Sequence, residues 1–82
     1  MKKNYRTAFN QLKKIGVPVF IHPDAEDRFD ISGEEPESTN WVNYWDSPSG
    51  WEFGVHPKID DILKALGLYC EWVNPGHLRI YD

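Results

Sequence analysis

The chain has 82 residues, a formal net charge of −4 and 40 % hydrophobic residues. A chain of this length forms one domain that buries only about 60–65 % of the surface it exposes when unfolded, so large aromatic side chains must supply much of its core. Its single cysteine, Cys70, excludes an internal disulfide, and no apolar run suits a signal peptide or a membrane span. We therefore expect residues 1–82 to form a cytoplasmic domain that does not associate with membranes.

Hydrophobic spacing predicts the elements of the first half of the chain. A helix should span about residues 4–15, because apolar side chains recur there at helical spacing and Gly16 follows as a cap. Residues 17–22 are predicted to form a strand, and residues 28–32 are a candidate second strand. Residues 33–39 are acidic and have no apolar anchor, so we predict a mobile loop there.

The second half of the chain is predicted to add two hairpins and a helix. They follow in this order: a hairpin of residues 40–45 and 51–55, a helix over residues 56–67, and a hairpin of residues 68–73 and 78–81. The resulting order, α-β-(β)-β-β-α-β-β, predicts an α+β domain. Its two helices should pack on one face of a mostly antiparallel sheet of four to five strands. A similarity between residues 12–21 and 63–72 indicates either a duplicated unit or two ordinary helix ends.

The aromatic hairpin has two possible registers, which expose different rings. Ser47-Pro48-Ser49-Gly50 suits a type I turn, and that turn places on the core face Trp41, Trp45, Trp51, Phe53 and Val55. A four-residue loop would instead bury Val42, Tyr44, Trp51, Phe53 and Val55, and would expose Trp41 and Trp45 beside Glu52 and His56. Turn chemistry favours the first register. The rings of Trp45 and Phe53 should then pack against the apolar helix residues Phe9, Leu12, Ile15, Ile62, Leu63 and Leu66.

The last hairpin provides a candidate partner-binding surface. A turn at Pro75-Gly76 would pair Val73 with Leu78, and so would place Trp72, Arg79 and Tyr81 together on the outer face of the sheet. These residue types are frequent at interface hot spots. The alternative is that Trp72 and Arg79 only brace the sheet. Two further candidates for partner binding, from the first hairpin and the start of the second helix, are Tyr44 and His56.

The sequence shows no motif for catalysis, a metal or another cofactor, and none is predicted. Residues 1–16 carry five bases and no acid, whereas residues 17–46 carry eight acids and one arginine. The acidic isoelectric point, about 5.2, disfavours nucleic-acid binding. The leading hypothesis is a non-enzymatic domain that binds a protein partner or itself through a sheet face. The alternatives are an acidic regulator or inhibitor of a basic or nucleic-acid-binding protein, and an enzyme with a site at His56 and Glu52.

Overall fold

A computed structural model describes residues 1–24 and 26–82. It confirms an α+β fold with two helices and a four-stranded antiparallel sheet, in an order that roughly matches the predicted one. The elements in chain order are α1 Lys3–Lys14, β1 Val19–Phe20, β2 Asp30–Ser32, a 3-10 helix Ser38–Asn40, α2 Pro57–Ala65, β3 Tyr69–Asn74 and β4 His77–Tyr81. None of the described helices is both long enough and apolar enough to cross a membrane.

Both helices end in the same capping motif. In each case a glycine in the left-handed conformation and the apolar residue after it donate hydrogen bonds back to the last helical turn. The donor and acceptor residues are Gly16 to Lys13 and Val17 to Leu12 after α1, and Gly67 to Lys64 and Leu68 to Leu63 after α2. Part of the similarity between residues 12–21 and 63–72 is therefore explained by this capping motif, which requires the same residue types at both helix ends. Each helix is also followed by two strands, so an α-β-β unit occurs twice.

The strand order β1-β2-β4-β3 joins these two units through the central pair, β2 and β4. In that pair Ile31 lies opposite Leu78, and in the β3–β4 pair Cys70 lies opposite Ile80. Directly opposed residues share a sheet face. The face covered by the helices, called here the inner face, therefore carries Val19, Ile31, Cys70, Trp72, Leu78 and Ile80. The outer face carries Phe20, Asp30, Tyr69, Glu71, His77, Arg79 and Tyr81.

The predicted core is correct for the helices but wrong for the aromatic hairpin. Leu12 and Leu63 are fully buried, and Phe9, Ile62 and Leu66 pack against the core while partly exposed. Ile15 is 40 % exposed because it follows the last residue of α1 and no longer lies on the buried side of the helix. Trp45 and Phe53 are 80 % and 86 % exposed and do not belong to the core.

The predicted aromatic hairpin is not formed as two strands, and this removes the possible fifth strand of the sheet. Within the described part of the chain, residues 41–55 have two isolated bridges, Val42 with Val55 and Glu52 with Val55. The favoured register placed Asn43 opposite Val55, and is wrong. The first bridge agrees with the alternative register, yet Tyr44 and Phe53, which that register would bury, are exposed. Both registers fail because the chain leaves the extended conformation after Asn43.

The predicted register of the last hairpin is also wrong, by one residue. Trp72 pairs with Leu78, and Glu71 pairs with Arg79, because the ladder has an irregularity between Trp72 and Asn74. Val73 is the extra residue of a β-bulge, which shifts every earlier residue of β3 to the opposite face. Trp72 therefore lies on the inner face, whereas Arg79 and Tyr81 lie on the outer face. The predicted grouping of these three residues on one face is not found.

The acidic segment 33–39 has a polar anchor that the sequence pattern did not reveal. Ser38 is fully buried, and its hydroxyl donates to the Ser32 carbonyl at 2.7 Å and accepts from the Glu35 amide at 3.0 Å. These bonds connect the start of the 3-10 helix to the end of β2. The mobility of residues 33–39 stays a prediction.

Gly54 allows the turn around the exposed aromatic residues to close, so its replacement should be costly. It has a φ of +74°, and a Cβ there would collide with the main-chain carbonyl of Asn43. Gly67 has a similar φ of +72° but open space around it, which makes it a matched control. We expect Gly67→Ala to lower the free energy of unfolding by about 1 kcal/mol, and Gly54→Ala to lower it by about 3 kcal/mol, since overpacking adds to the backbone strain. Urea unfolding of both variants measures the difference, and equal losses would contradict the collision.

Candidate functional site

The five predicted partner-binding residues fall into three separate environments. Tyr44 and Trp72 are together, with ring centroids 5.3 Å apart. His56 lies between two indoles, at 5.0 Å from Trp41 and 5.2 Å from the ring of Trp51. The outer face holds Arg79, which forms an ion pair, and Tyr81, whose ring stacks on Tyr69 at 5.6 Å.

Arg79 neutralises a buried carboxylate. Asp30 is fully buried, and its two oxygens accept from Nε of Arg79 at 2.9 Å and from Nη2 at 3.2 Å. This bidentate pair joins β2 to β4 across the centre of the sheet, and the hydrogen bonds that Arg79 donates to Asp30 raise the pKa of Arg79. The contact matches the bracing role that the sequence left open for Arg79, with Asp30 as the partner instead of Trp72.

His56 has a structural contact of its own at the start of α2. Its Nδ1 accepts a hydrogen bond from the Lys58 amide at 3.0 Å, and so caps the helix. Glu52, its predicted catalytic partner, lines a groove beside α2. Among the described residues no hydrogen bond links Glu52 to His56, and the hypothesis of an enzyme at this position gains no support from the geometry.

Four aromatic residues form an apolar surface that is largely exposed. This aromatic surface consists of Tyr44, Trp45, Phe53 and Trp72. Trp45 is 80 % exposed, Phe53 is 86 % exposed and Tyr44 is 47 % exposed. The Tyr44 ring contacts both tryptophans edge-on, at 5.1 Å from Trp45 and 5.3 Å from Trp72. The indole N–H of Trp72 donates to the Phe53 carbonyl at 2.7 Å and thereby connects the loop to β3.

Short polar side chains hold the loop that presents the aromatic surface. The Asn43 side-chain oxygen accepts from the amides of Trp45 and Asp46, which turns the chain outward. The Ser47 hydroxyl donates to the Trp51 carbonyl at 3.1 Å and accepts from the Gly54 amide at 3.1 Å, which closes the loop. Asparagine and serine thus determine where the exposed rings lie.

Phe53 combines exposure with an unfavourable backbone conformation. Its φ of 52° is in the left-handed region, and it is the one described non-glycine residue with a positive φ. For a bulky side chain this conformation costs on the order of 1–2 kcal/mol relative to an ordinary one. Because the ring is 86 % exposed, packing in the core does not offset that cost.

A groove of about 460 Å³ lies beside the aromatic surface, between α2 and β3. Its lining is mostly apolar and includes Leu63, Leu68, Leu78, Trp72 and Phe53. The groove and the aromatic surface therefore share Phe53 and Trp72 and form one continuous area.

The polar part of the groove is mainly acidic. Glu52 and Asp60 line it, and Glu71 of the outer face lies at its β3 edge, against one lysine, Lys64. Burial and then the charge of Glu52 raise the pKa of Asp60. Burial also raises the pKa of the Cys70 thiol to about 12, and the charges of Asp60 and Glu71 act in the same direction. A cationic group in the groove would relieve this repulsion between carboxylates.

A second groove, of about 450 Å³, lies at the opposite edge of the sheet, beside β1. Its lining includes Glu34, Glu35 and Glu37 from the acidic segment together with Phe20 and His77. The rings of Phe20 and His77 are in contact at 5.4 Å. This groove is more polar than the first and lies away from the exposed aromatic residues.

In the described ranges, 1–24 and 26–82, no cluster of three or more His, Cys, Asp or Glu side chains suits a metal ion. Comparison of this chain with protein-family models, curated proteins and solved structures finds no match. The candidate site therefore rests on the geometry of the aromatic surface and the adjoining groove.

The favoured register placed Trp45 and Phe53 in the core, the alternative register exposed Trp45, and both registers buried Phe53, which is 86 % exposed. One signal was available, because Asn43 interrupts the otherwise apolar face that the favoured register predicted. Asparagine within a proposed core strand is a common mark of a turn. The left-handed conformation of Phe53, in contrast, has no signal in the sequence.

The Asp30–Arg79 pair predicts that Arg79 contributes to stability. Arg79→Ala would leave the buried Asp30 carboxylate without its partner, and we expect a loss of about 3 kcal/mol in the free energy of unfolding. Arg28→Ala is the control, because Arg28 pairs with the exposed Asp27 at 3.8 Å and should cost less than about 1 kcal/mol. Thermal and urea unfolding measure both variants. An unchanged melting temperature for Arg79→Ala would contradict the bracing role.

The raised pKa of Cys70 predicts a stability that falls in alkaline solution. Between its ordinary value of 9.0 and about 12, the thiol keeps its proton in the folded chain and loses it in the unfolded chain. The folded state then binds more protons, so stability decreases as pH rises, by about 1 kcal/mol from this group at pH 10. Urea unfolding at a series of pH values should show a weaker alkaline decrease for Cys70→Ala. Identical profiles for both proteins would contradict the shift.

Proposed function

We propose that this chain is a non-enzymatic protein-binding domain, and that its partner binds the aromatic surface and the adjoining groove. The sequence hypothesis named a sheet face around Trp72, Arg79 and Tyr81 as the binding site. The proposal retains Trp72 and Tyr44 from the predicted residues and adds Trp45 and Phe53. His56, Arg79 and Tyr81 have structural contacts that explain their positions without a partner.

The main support for the proposal is the conformation and exposure of Phe53. Its conformation is unfavourable and its ring is exposed, so burial of the ring in the free domain does not offset the backbone strain. Backbone strain of this kind occurs most often at functional sites, where the surrounding structure maintains it. A partner that covers the Phe53 ring would recover the apolar burial that the free domain forgoes.

The surroundings of Phe53 support the same conclusion. Trp45 is 80 % exposed, and tryptophan and tyrosine are the residue types most enriched at the centres of interfaces. Exposed apolar residues that adjoin a groove mark sites of interaction more often than scattered ones do. The groove supplies a cavity for side chains of the partner, and the aromatic surface supplies a wall.

The proposal includes a cytoplasmic location and allows a second copy of the chain as the partner. The single cysteine excludes an internal disulfide in this chain, which suits a reducing compartment. Self-association would bury the same aromatic surface in a symmetric interface.

A second candidate function, an acidic regulator of a basic protein, is supported by the other groove. Glu34, Glu35 and Glu37 line that groove together and would attract a basic surface. Binding of this kind should weaken steeply with added salt, whereas binding through the aromatic surface should depend on salt much less.

Replacement of the two most exposed rings tests the leading proposal. Trp45→Ser combined with Phe53→Ser should weaken partner binding at least about tenfold and leave the melting temperature unchanged or slightly higher, because neither ring is in the core. Ile15→Ser combined with Ile21→Ser is the matched control, since these two side chains are 40 % and 47 % exposed and lie outside the aromatic surface.

The measurement begins with affinity capture from the cells that express the protein and continues with the purified partner. Titration calorimetry then compares its dissociation constants for the natural chain, the double variant and the control. Light scattering of the natural chain detects a second copy as the partner. Equal affinity of the double variant and the natural chain would contradict the proposal, and so would a loss confined to the control.

A further inference from the structure

We propose that the groove binds an extended, basic segment of a partner protein, which adds as a fifth strand along the edge of β3. This inference rests on the proposed protein-binding function and specifies the form and chemistry of the bound segment.

The strand order makes β3 an edge strand six residues long. The Ile80 amide donates to the Phe29 carbonyl, so the main chain of Ile80 faces β2. Ile80 and Cys70 lie directly opposite each other, so the N–H and C=O groups of Cys70 point away from β4. Trp72 lies two residues further along β3, and its N–H and C=O groups point the same way. No described residue bonds to the outward N–H and C=O groups of Cys70 and Trp72. Such an edge is a template for another strand.

The groove lies where the side chains of an added strand would point. Cys70 and Trp72 are inner-face residues, and both line the groove together with Leu63 and Leu68. Successive side chains of a strand alternate between the two faces. Every second side chain of the added segment would therefore enter the groove, and the others would lie on the outer face beside Tyr69 and Glu71. The side chains that enter the groove should be apolar.

The charges of the site select a basic segment over an acidic one. Glu71 is exposed on the outer face of β3, and Glu52 and Asp60 line the groove. Lysine or arginine among the side chains on the outer face would pair with Glu71 and stack on the half-exposed Tyr69 ring. The same charges disfavour a second copy of this chain, because pairing of β3 with β3 would bring Glu71 near its equivalent and join two acidic grooves.

The probe is an acetylated and amidated heptapeptide of sequence KVKLKVK, titrated into the natural chain. Amide chemical shifts should change at Cys70 and Trp72, and hydrogen exchange of these two amides should slow when the peptide saturates the protein. The acidic analogue, EVELEVE, should bind at least about tenfold more weakly. Glu71→Gln should weaken binding of the basic peptide about threefold, whereas Glu37→Gln, which has the same change of charge beside the other groove, should leave it unchanged.

N-methylation separates strand addition from mere contact with the groove. In an added strand, the amides of alternate residues face β3 and the others face solvent. Two peptides, one methylated at the apolar residues and one at the lysines, should therefore differ, and only one should lose binding. Equal binding of both methylated peptides, or equal binding of the acidic and basic peptides, would overturn the inference.

Two further outcomes complete the test. Absence of shifts at Cys70 and Trp72, while Trp45 and Phe53 still govern capture of a partner, overturns strand addition and leaves the proposed function intact. A dimer in light scattering, with slow exchange at Cys70 and Trp72 before any peptide is added, identifies a second copy on the edge and also overturns the inference.

Discussion

The antiparallel pairing of β2 with β4 is the contact on which the rest of the fold depends. It joins the two α-β-β units of the chain and brings Asp30 and Arg79 together across the centre of the sheet. A buried carboxylate is tolerated only with a well-placed cation, so this ion pair also fixes which residues face each other. A shift of one residue in the register would leave Asp30 without its partner and would turn Ile31 away from the core.

The same pairing leaves the two edges of the sheet unequal. β1 has two residues, whereas β3 has six, so most of the unpaired main chain of the sheet is at one edge. The longer edge adjoins α2 and the loop that presents Trp45 and Phe53. An open strand, an apolar groove and exposed aromatic rings thus lie together because of how the two units meet. None of the three requires a residue of unusual chemistry.

The sequence predicted the features that depend on local spacing and missed those that depend on single hydrogen bonds. Apolar periodicity located both helices within one or two residues, and Gly16 and Gly67 were correctly identified as their caps. The bulge at Val73 has no marker in the sequence, because Val73 suits an ordinary strand equally well. The turn at Asn43 was marked by its asparagine, but the turn preference of residues 47–50 suggested a regular hairpin. Exposure of Trp45 and Phe53 followed from that turn and could not be read from their hydrophobicity.

The left-handed backbone at Phe53 has a consequence for how this protein would evolve. Glycine occupies such a conformation without strain, so Phe53→Gly is a change that selection for thermal resistance alone would accept. The same change would erase the most exposed ring of the aromatic surface. If Phe53 contacts a partner as proposed, selection for heat tolerance and selection for binding act in opposite directions at this position.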